Sequence, residues 1–205
     1  MWLAKCIATG EKVALKQFPK QNGSKGLDST AHSEVIFGRM LFPRMLGKIT
    51  YGLEPDYFPG IKSIARLLDE IEETKDFWLV YEVGSACLNK HLFDVKGEFY
   101  KGERVYLVNH TAPFYQQLKQ DKRLLSTLIR KIVETFSVLS ELKIVHADIK
   151  PDNILVSYSV ERKEIMDLKL IDFGSAFSFD SPSNIQASTP EYLAPEVLEY
   201  LDNRA

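Results

Sequence analysis

Residues 144–156 read IVHADIKPDNILV, and no other stretch of the chain limits its possible folds so tightly. Apolar pairs and triplets flank a run containing His146, Asp148, Lys150, Asp152 and Asn153, so two short buried segments must grip a polar loop. Immediately before it, Leu124, Leu125, Leu128, Ile129, Ile132, Val133, Phe136, Leu139 and Leu142 recur at helical spacing. The spacing predicts a helix over 121–142 whose wide apolar stripe forms core and whose end delivers the chain into the loop.

Asp148 and Asn153 stand in a D-x-x-x-x-N spacing that suits phosphoryl transfer. The carboxylate orients an attacking hydroxyl and takes its proton, and the carboxamide holds Mg2+. Lys150 between them brings positive charge to a moving phosphoryl group. An isolated HxDxxxxN also occurs as an ordinary polar loop between strands, so its meaning depends on the rest of the chain.

Charge narrows the partners. Lys and Arg total 26 against 28 Asp and Glu, a net charge of -2, which leaves no global field for nucleic acid or an anionic membrane. The two cysteines, Cys6 and Cys87, are far apart and lack metal-ligand spacing, as expected of a reducing compartment. No run approaches the ~20 apolar residues of a membrane span, and the opening MWLAKCIATGEK lacks a signal-peptide core. Cytoplasmic or nuclear residence is the expectation.

Residues 2–8 and 13–18 alternate as strands around a Thr9-Gly10-Glu11-Lys12 turn, a β-hairpin. A polar loop over 19–28 leads to a helix predicted over 31–46, capped by Ser29 or Thr30. YFPGI at 57–61 reads as a turn before strands at 65–71 and 76–81, joined by a charged turn at 72–75. Between 85 and 119 the pattern is less legible: LNKHLFD is helical, and 96–101 and 109–114 read as loop. A polar hairpin over 157–167 precedes the strand-like run entering Asp172-Phe173-Gly174.

His146-Ala147-Asp148-Ile149-Lys150-x-x-Asn153 resembles the catalytic loop of eukaryotic protein kinases in its serine/threonine form, and further motifs follow in that family's order. Val13-Ala14-Leu15-Lys16 resembles the strand whose lysine holds the nucleotide's α- and β-phosphates, and Glu34 its helix partner. On this resemblance Tyr81 is the gatekeeper behind the adenine pocket, Glu82-Val83-Gly84 is the hinge, and Ala14 and Leu155 belong to the same nucleotide-binding set. Asp172-Phe173-Gly174 resembles the motif whose carboxylate chelates Mg2+, and STPEYLAPE at 188–196 the end of the activation segment, with Thr189 supporting Asp148 and Lys150.

The resemblance implies an α+β, two-lobe protein-kinase-like fold, incomplete at both ends. A small β-rich N-lobe with one helix would span 1–82, and the hinge with a mainly helical C-lobe 83–205. It implies ATP and Mg2+ as cofactors and a protein substrate offering Ser or Thr. Asp148, Lys150 and Thr189 are the catalytic candidates, and Asn153 and Asp172 the metal ligands.

Departures carry expectations too. Ala147 replaces the loop arginine that binds an activation-segment phosphate, so activity is expected not to require phosphorylation of Ser178, Ser181, Ser183 or Ser188. Gly38 stands where the family carries a bulky apolar residue, and Phe37 or Met40 is expected to supply the volume. No G-x-G-x-x-G occurs, Met1 takes the place of the valine that covers adenine, and the sequence stops soon after Glu196. It therefore reads as a piece of a longer frame, expected to be marginally stable alone. Cys87 is expected at the lip of the nucleotide pocket. Two other readings stay open: a pseudokinase or scaffold, and a small-molecule phosphotransferase of kinase-like fold such as the aminoglycoside kinases.

Overall fold

A computed structural model describes residues 1–20, 28–45, 47–109, 112–181 and 189–202. Residues 183 and 188, residues 21–27 of the loop expected over 19–28, and residue 46 at the end of the predicted helix lie outside the described residues.

The first elements are strands β1 (Trp2–Lys5) and β2 (Lys12–Pro19) and helix α1 (Ser29–Leu41). The first strand is shorter than expected, since Cys6 and Glu11 close the loop by a backbone bond and Gly10 takes φ +74°. The helix cap also differs: Asp28, not Ser29 or Thr30, accepts the Ala31 N–H at 2.7 Å. The helix stops at Leu41 because Pro43 disfavours helical backbone at Phe42, which leaves the helix at φ -133°, ψ 69°. Short strands β3 (Arg44–Met45) and β4 (Lys48–Ile49) follow. A 3-10 turn at Pro59–Ser63 then leads to β5 (Leu67–Glu72) and β6 (Asp76–Glu82).

Strands β1, β2, β5 and β6 form one antiparallel sheet in the order β1-β2-β6-β5, and β3 and β4 pair separately. Its register sets Lys16 opposite Leu79 and Ala14 opposite Tyr81. Strand alternation therefore turns Phe18, Lys16 and Ala14 to one face together with Phe77, Leu79 and Tyr81. There α1 lays down Ala31 and Val35, which with Phe18, Leu67, Phe77 and Leu79 make a small core.

Helix α2 (Leu88–Leu92) agrees with expectation, but the next segment does not. Strands β7 (Asp94–Tyr100) and β8 (Glu103–Asn109) form a hairpin where loops were expected at 96–101 and 109–114, and α3 (Pro113–Gln120) begins within the second of these. The β-branched and aromatic residues Val95, Phe99 and Tyr100 in one strand and the run Val105 to Val108 in the other carry the hairpin, and Gly102, at φ +86°, turns it.

Helix α4 (Lys122–Glu141) starts at Asp121, whose carboxylate caps Arg123 and Leu124. Its stripe is wider than the core it faces. Leu124, Leu128, Val138 and Leu139 are buried, whereas Leu125, Ile129, Val133 and Phe136 lie on the exposed side. The buried face meets Ile61, Ile64 and Phe114 in the larger core.

Strand β9 (Ile144–Val145) enters the polar loop, and a 3-10 turn at Pro151–Asn153 leaves it for β10 (Ile154–Ser159) and β11 (Glu164–Leu170). After a further 3-10 turn at Phe173–Ser175, β12 (Phe177–Ser178) pairs antiparallel with β9. Helix α5 (Pro195–Asp202) closes the described chain. Among the described residues no helix is long and apolar enough to cross a membrane.

Candidate active site

Strands β10 and β11 pair antiparallel as a lower hairpin, and the gap between it and the first sheet holds a cavity of about 530 Å³, within the size range of small-ligand sites. Every residue expected to hold the nucleotide lines it: Ala14, Lys16, Glu34, Tyr81, Glu82, Gly84 and Leu155. Asp172 lines it too, and Met1, Trp2 and Leu3 form its outer wall. Ala65 and Ile171 were not foreseen. Ile171 could have been found as the apolar neighbour of Asp172, whereas Ala65 carries no local signal.

Gly84 is needed for its smallness. A Cβ there would come within 2.3 Å of the end of the Leu155 side chain, so with any larger residue Leu155 must shift for the segment after β6 to lie against β10. Cys87 is half-buried at the α2 cap, where its backbone bridges Leu155; it is not among the residues lining the cavity.

At the inner end, Lys16 pairs with Glu34 of α1 and donates to Asp172 Oδ1 at 2.9 Å. Glu34 is 1 % exposed and also accepts a hydrogen bond from the Tyr81 hydroxyl. Burial pulls the Lys16 ammonium toward neutrality, but Glu34 and Asp172 outweigh it and hold the group above its ordinary range. Burial pushes Glu34 upward, against the lowering effect of Lys16 and Tyr81. Burial acts on Asp172 in the same sense, yet Lys16 and hydrogen bonding leave it below the usual carboxylate range. Tyr81 is raised by burial and by Glu34, so its hydroxyl keeps its proton as a donor.

Asp172 sits in the left-handed region at φ +69° and accepts from the Gly174 N–H. An aspartate tolerates that conformation better than most residues, and strained backbone of this kind clusters at functional sites. The turn after it packs under α1, and a Cβ on Gly174 would meet Thr30 at 2.4 Å.

The second cluster is built from the polar loop. His146 is buried; Nε2 donates to the Ile171 carbonyl at 3.0 Å and Nδ1 accepts the Asp148 N–H at 3.3 Å. These partners assign the neutral Nε2–H tautomer, and burial keeps the imidazole pKa below its ordinary value. Ala147 follows at φ +62°, a left-handed position carried by a residue with no side-chain bond to stabilise it.

Asp148 is gripped from three sides. Asn153 Nδ2 donates to its carboxylate and to its carbonyl, each at 2.8 Å, and Lys150 Nζ lies 2.8 Å from Oδ2. The Thr189 hydroxyl donates to Oδ1 at 2.9 Å while accepting from Lys150 at 2.7 Å. Thr189 thus brings the start of the distant 189–196 segment onto the loop, the contact expected from sequence. The Ile171 N–H donates to the Asn153 carbonyl at 3.0 Å, which ties Asn153 to the strand that ends at Asp172.

Gly38 is compensated, but not by the residues expected. Phe37 is buried in the larger core and Met40 is 44 % exposed. The space is taken by Leu67 of β5, whose Cδ2 would lie 2.7 Å from a Cβ at Gly38.

A β-rich sheet with one helix, a helix-bearing lower half, and a lysine–glutamate–aspartate relay facing a D-x-K-x-x-N loop define a phosphotransfer fold of two layers around a cleft. The sequence model of the protein kinase domain matches residues 59–204, and the chain belongs to that family. It is 33 % identical over 128 residues to an Aurora kinase of Schizosaccharomyces pombe, covering 58 % of this chain and 34 % of the relative. It is 29 % identical over 128 residues to Aurora kinase B of Xenopus tropicalis, covering 58 % and 33 %. The chain thus spans about a third of the length of these curated relatives.

Proposed function

We propose that the protein is an ATP- and Mg2+-dependent serine/threonine kinase that phosphorylates a protein hydroxyl, with its lobes meeting between residues 82 and 83. The observation that carries this reading is the convergence of Lys150 and Thr189 on the Asp148 carboxylate, beside a cavity whose inner end holds the Lys16–Glu34 pair and Asp172.

Asp148 is the group that orients the substrate hydroxyl and takes its proton as the oxygen bonds to the γ-phosphorus and the bond to the departing ADP oxygen breaks. Lys150, held by Thr189, supplies positive charge to the phosphoryl oxygens during transfer. Lys16 holds the α- and β-phosphates and is itself kept protonated by Glu34 and Asp172.

The donor set suits Mg2+: one carboxylate, Asp172, and one carboxamide, Asn153, are hard oxygen ligands of the sort that completes its shell with phosphate and water. Among the described residues there is no cluster of three His, Cys, Asp or Glu able to form an all-protein cage, which fits the same preference. When bound, the ion screens the phosphate charges. Asn153 would hold it through the carboxamide oxygen, since its NH2 is given to Asp148. A scaffold that only binds partners would have no use for an ion pair at Lys16 together with a threonine-braced aspartate.

Phosphotransfer to a generic basic protein tests the reading. Asp148→Asn and Lys16→Met are each expected to lower incorporation by ~100-fold or more. Equal incorporation by parent and both variants would refute it.

A further inference from the structure

Helix α1 presents a weak inner face to the sheet. The residues it lays down there are Ala31, Val35 and Gly38, which offer few methyl groups, and Leu67 fills the space that Gly38 leaves. Leu41 and Phe37, its larger buried residues, pack into the lower core. On its solvent side Arg39 forms a two-pronged pair with Glu70, at 2.9 and 2.6 Å, but the arginine is mostly exposed and such pairs hold a helix loosely.

What reaches α1 from inside the sheet is polar. Glu34 is buried, and its two carboxylate oxygens are taken by two different strands: Oε1 by Lys16 of β2, Oε2 by the Tyr81 hydroxyl of β6. Lys16 stands opposite Leu79 and Tyr81 lies two residues further along the same strand, so both head groups rise from one face. Lys16 alone could swing Glu34, because a lysine is a flexible stem and its ammonium also serves Asp172. The tyrosine is a rigid arm whose bond fixes the plane of the carboxylate.

We propose that the Tyr81 hydroxyl is a positioning group: it clamps Glu34, and through it α1 and Lys16, in the arrangement that receives the nucleotide phosphates. This gives Tyr81 a role beyond that of a wall behind the base, and it rests on the kinase reading for its kinetic consequence alone. A helix with a bulky residue at position 38 would hold itself by packing; this one, with glycine, uses a second hydrogen bond.

Tyr81→Phe and Tyr81→Met separate the hydroxyl from the ring. Amide hydrogen exchange across residues 31–41 reads the clamp whether or not phosphate is transferred. Exchange is expected to quicken about tenfold in Tyr81→Phe, as follows from losing one hydrogen bond to a charged group. The nucleotide KM should rise about fivefold in the same variant while the protein-substrate KM stays unchanged, a split that general loosening of the fold would not produce. If Tyr81→Phe matches the parent in exchange and in nucleotide KM, the proposal is wrong, and a loss confined to Tyr81→Met would assign the role to the ring. Absence of Lys16-dependent phosphotransfer in the parent would refute the kinase reading instead, and the exchange result would still decide the clamp.

Discussion

Single side chains set the limits of the site. Gly84 is a steric requirement, so Gly84→Val should drive Leu155 into the cavity and raise the nucleotide KM about tenfold with little change in melting temperature. Nucleotide binding measured by fluorescence or calorimetry checks this, and an unchanged affinity would show that the segment after β6 can retreat. His146 links the loop to pH. Its folded pKa lies below the unfolded value of 6.5, so below that pH the unfolded chain binds more protons and stability must fall with acidification. The denaturant midpoint is expected to drop between about pH 7 and pH 5.5 as the imidazole must charge. In His146→Phe the curve should be lower at pH 7 and flatter below it. Ala147 removes the guanidinium that would meet an activation-segment phosphate. The start of that segment is instead held by the β9–β12 pairing and by the Phe179 N–H, which donates to the Lys143 carbonyl at 2.8 Å. Phosphatase treatment is accordingly expected to leave phosphotransfer unchanged.

Between elements, close backbone approach governs the packing. Gly60 lies so near α4 that a Cβ would fall 2.0 Å from the Glu134 carbonyl, and neither the 3-10 turn nor the helix can yield without losing its hydrogen bonds. Gly60→Ala should therefore cost about 3 kcal/mol, read from chemical denaturation. The α1–β5 contact is softer, because the obstacle at Gly38 is the end of a leucine side chain. Gly38→Leu is expected to destabilise by about 2 kcal/mol alone and to recover when combined with Leu67→Ala, a coupling measurable in a double-mutant cycle. The extent of α1 was only partly legible in its residues: Val35, Phe37 and Leu41 announced a helix, but its cap and its stop depended on Asp28 and Pro43, which the periodic pattern runs past. The β7–β8 hairpin is not legible in the sequence because Gly97, Gly102 and the charged residues at 96, 98, 101, 103 and 104 read as loop, which hides the apolar run at 105–108.

Across the whole molecule, that hairpin stands apart, with Val95, Phe99, Tyr100, Tyr106 and Val108 exposed. Replacing 95–108 by a short Gly-Ser link should shift the melting temperature by less than about 2 °C, since little buried apolar area is lost. The two cores differ in origin. The smaller is drawn from the first sheet and α1, while the larger collects Phe37, Leu41, Ile61 and Ile64 from the first third of the chain alongside α4 and the lower hairpin. By itself the sequence determined which residues are the candidates for chemistry: Asp148, Lys150 and Asn153 fall within one loop, which brings neighbours together without help from the fold, and Asp172 stands in a short motif of its own. It also determined α4, whose periodicity is long. Tertiary structure alone decided other contacts between residues far apart in the chain: Leu67 in the space at Gly38, Tyr81 on Glu34, and which half of the α4 stripe is buried. Those depend on the register of β2 against β6 and on the angle at which α1 crosses the sheet, which are set by packing of the whole and leave no mark in any single stretch of residues.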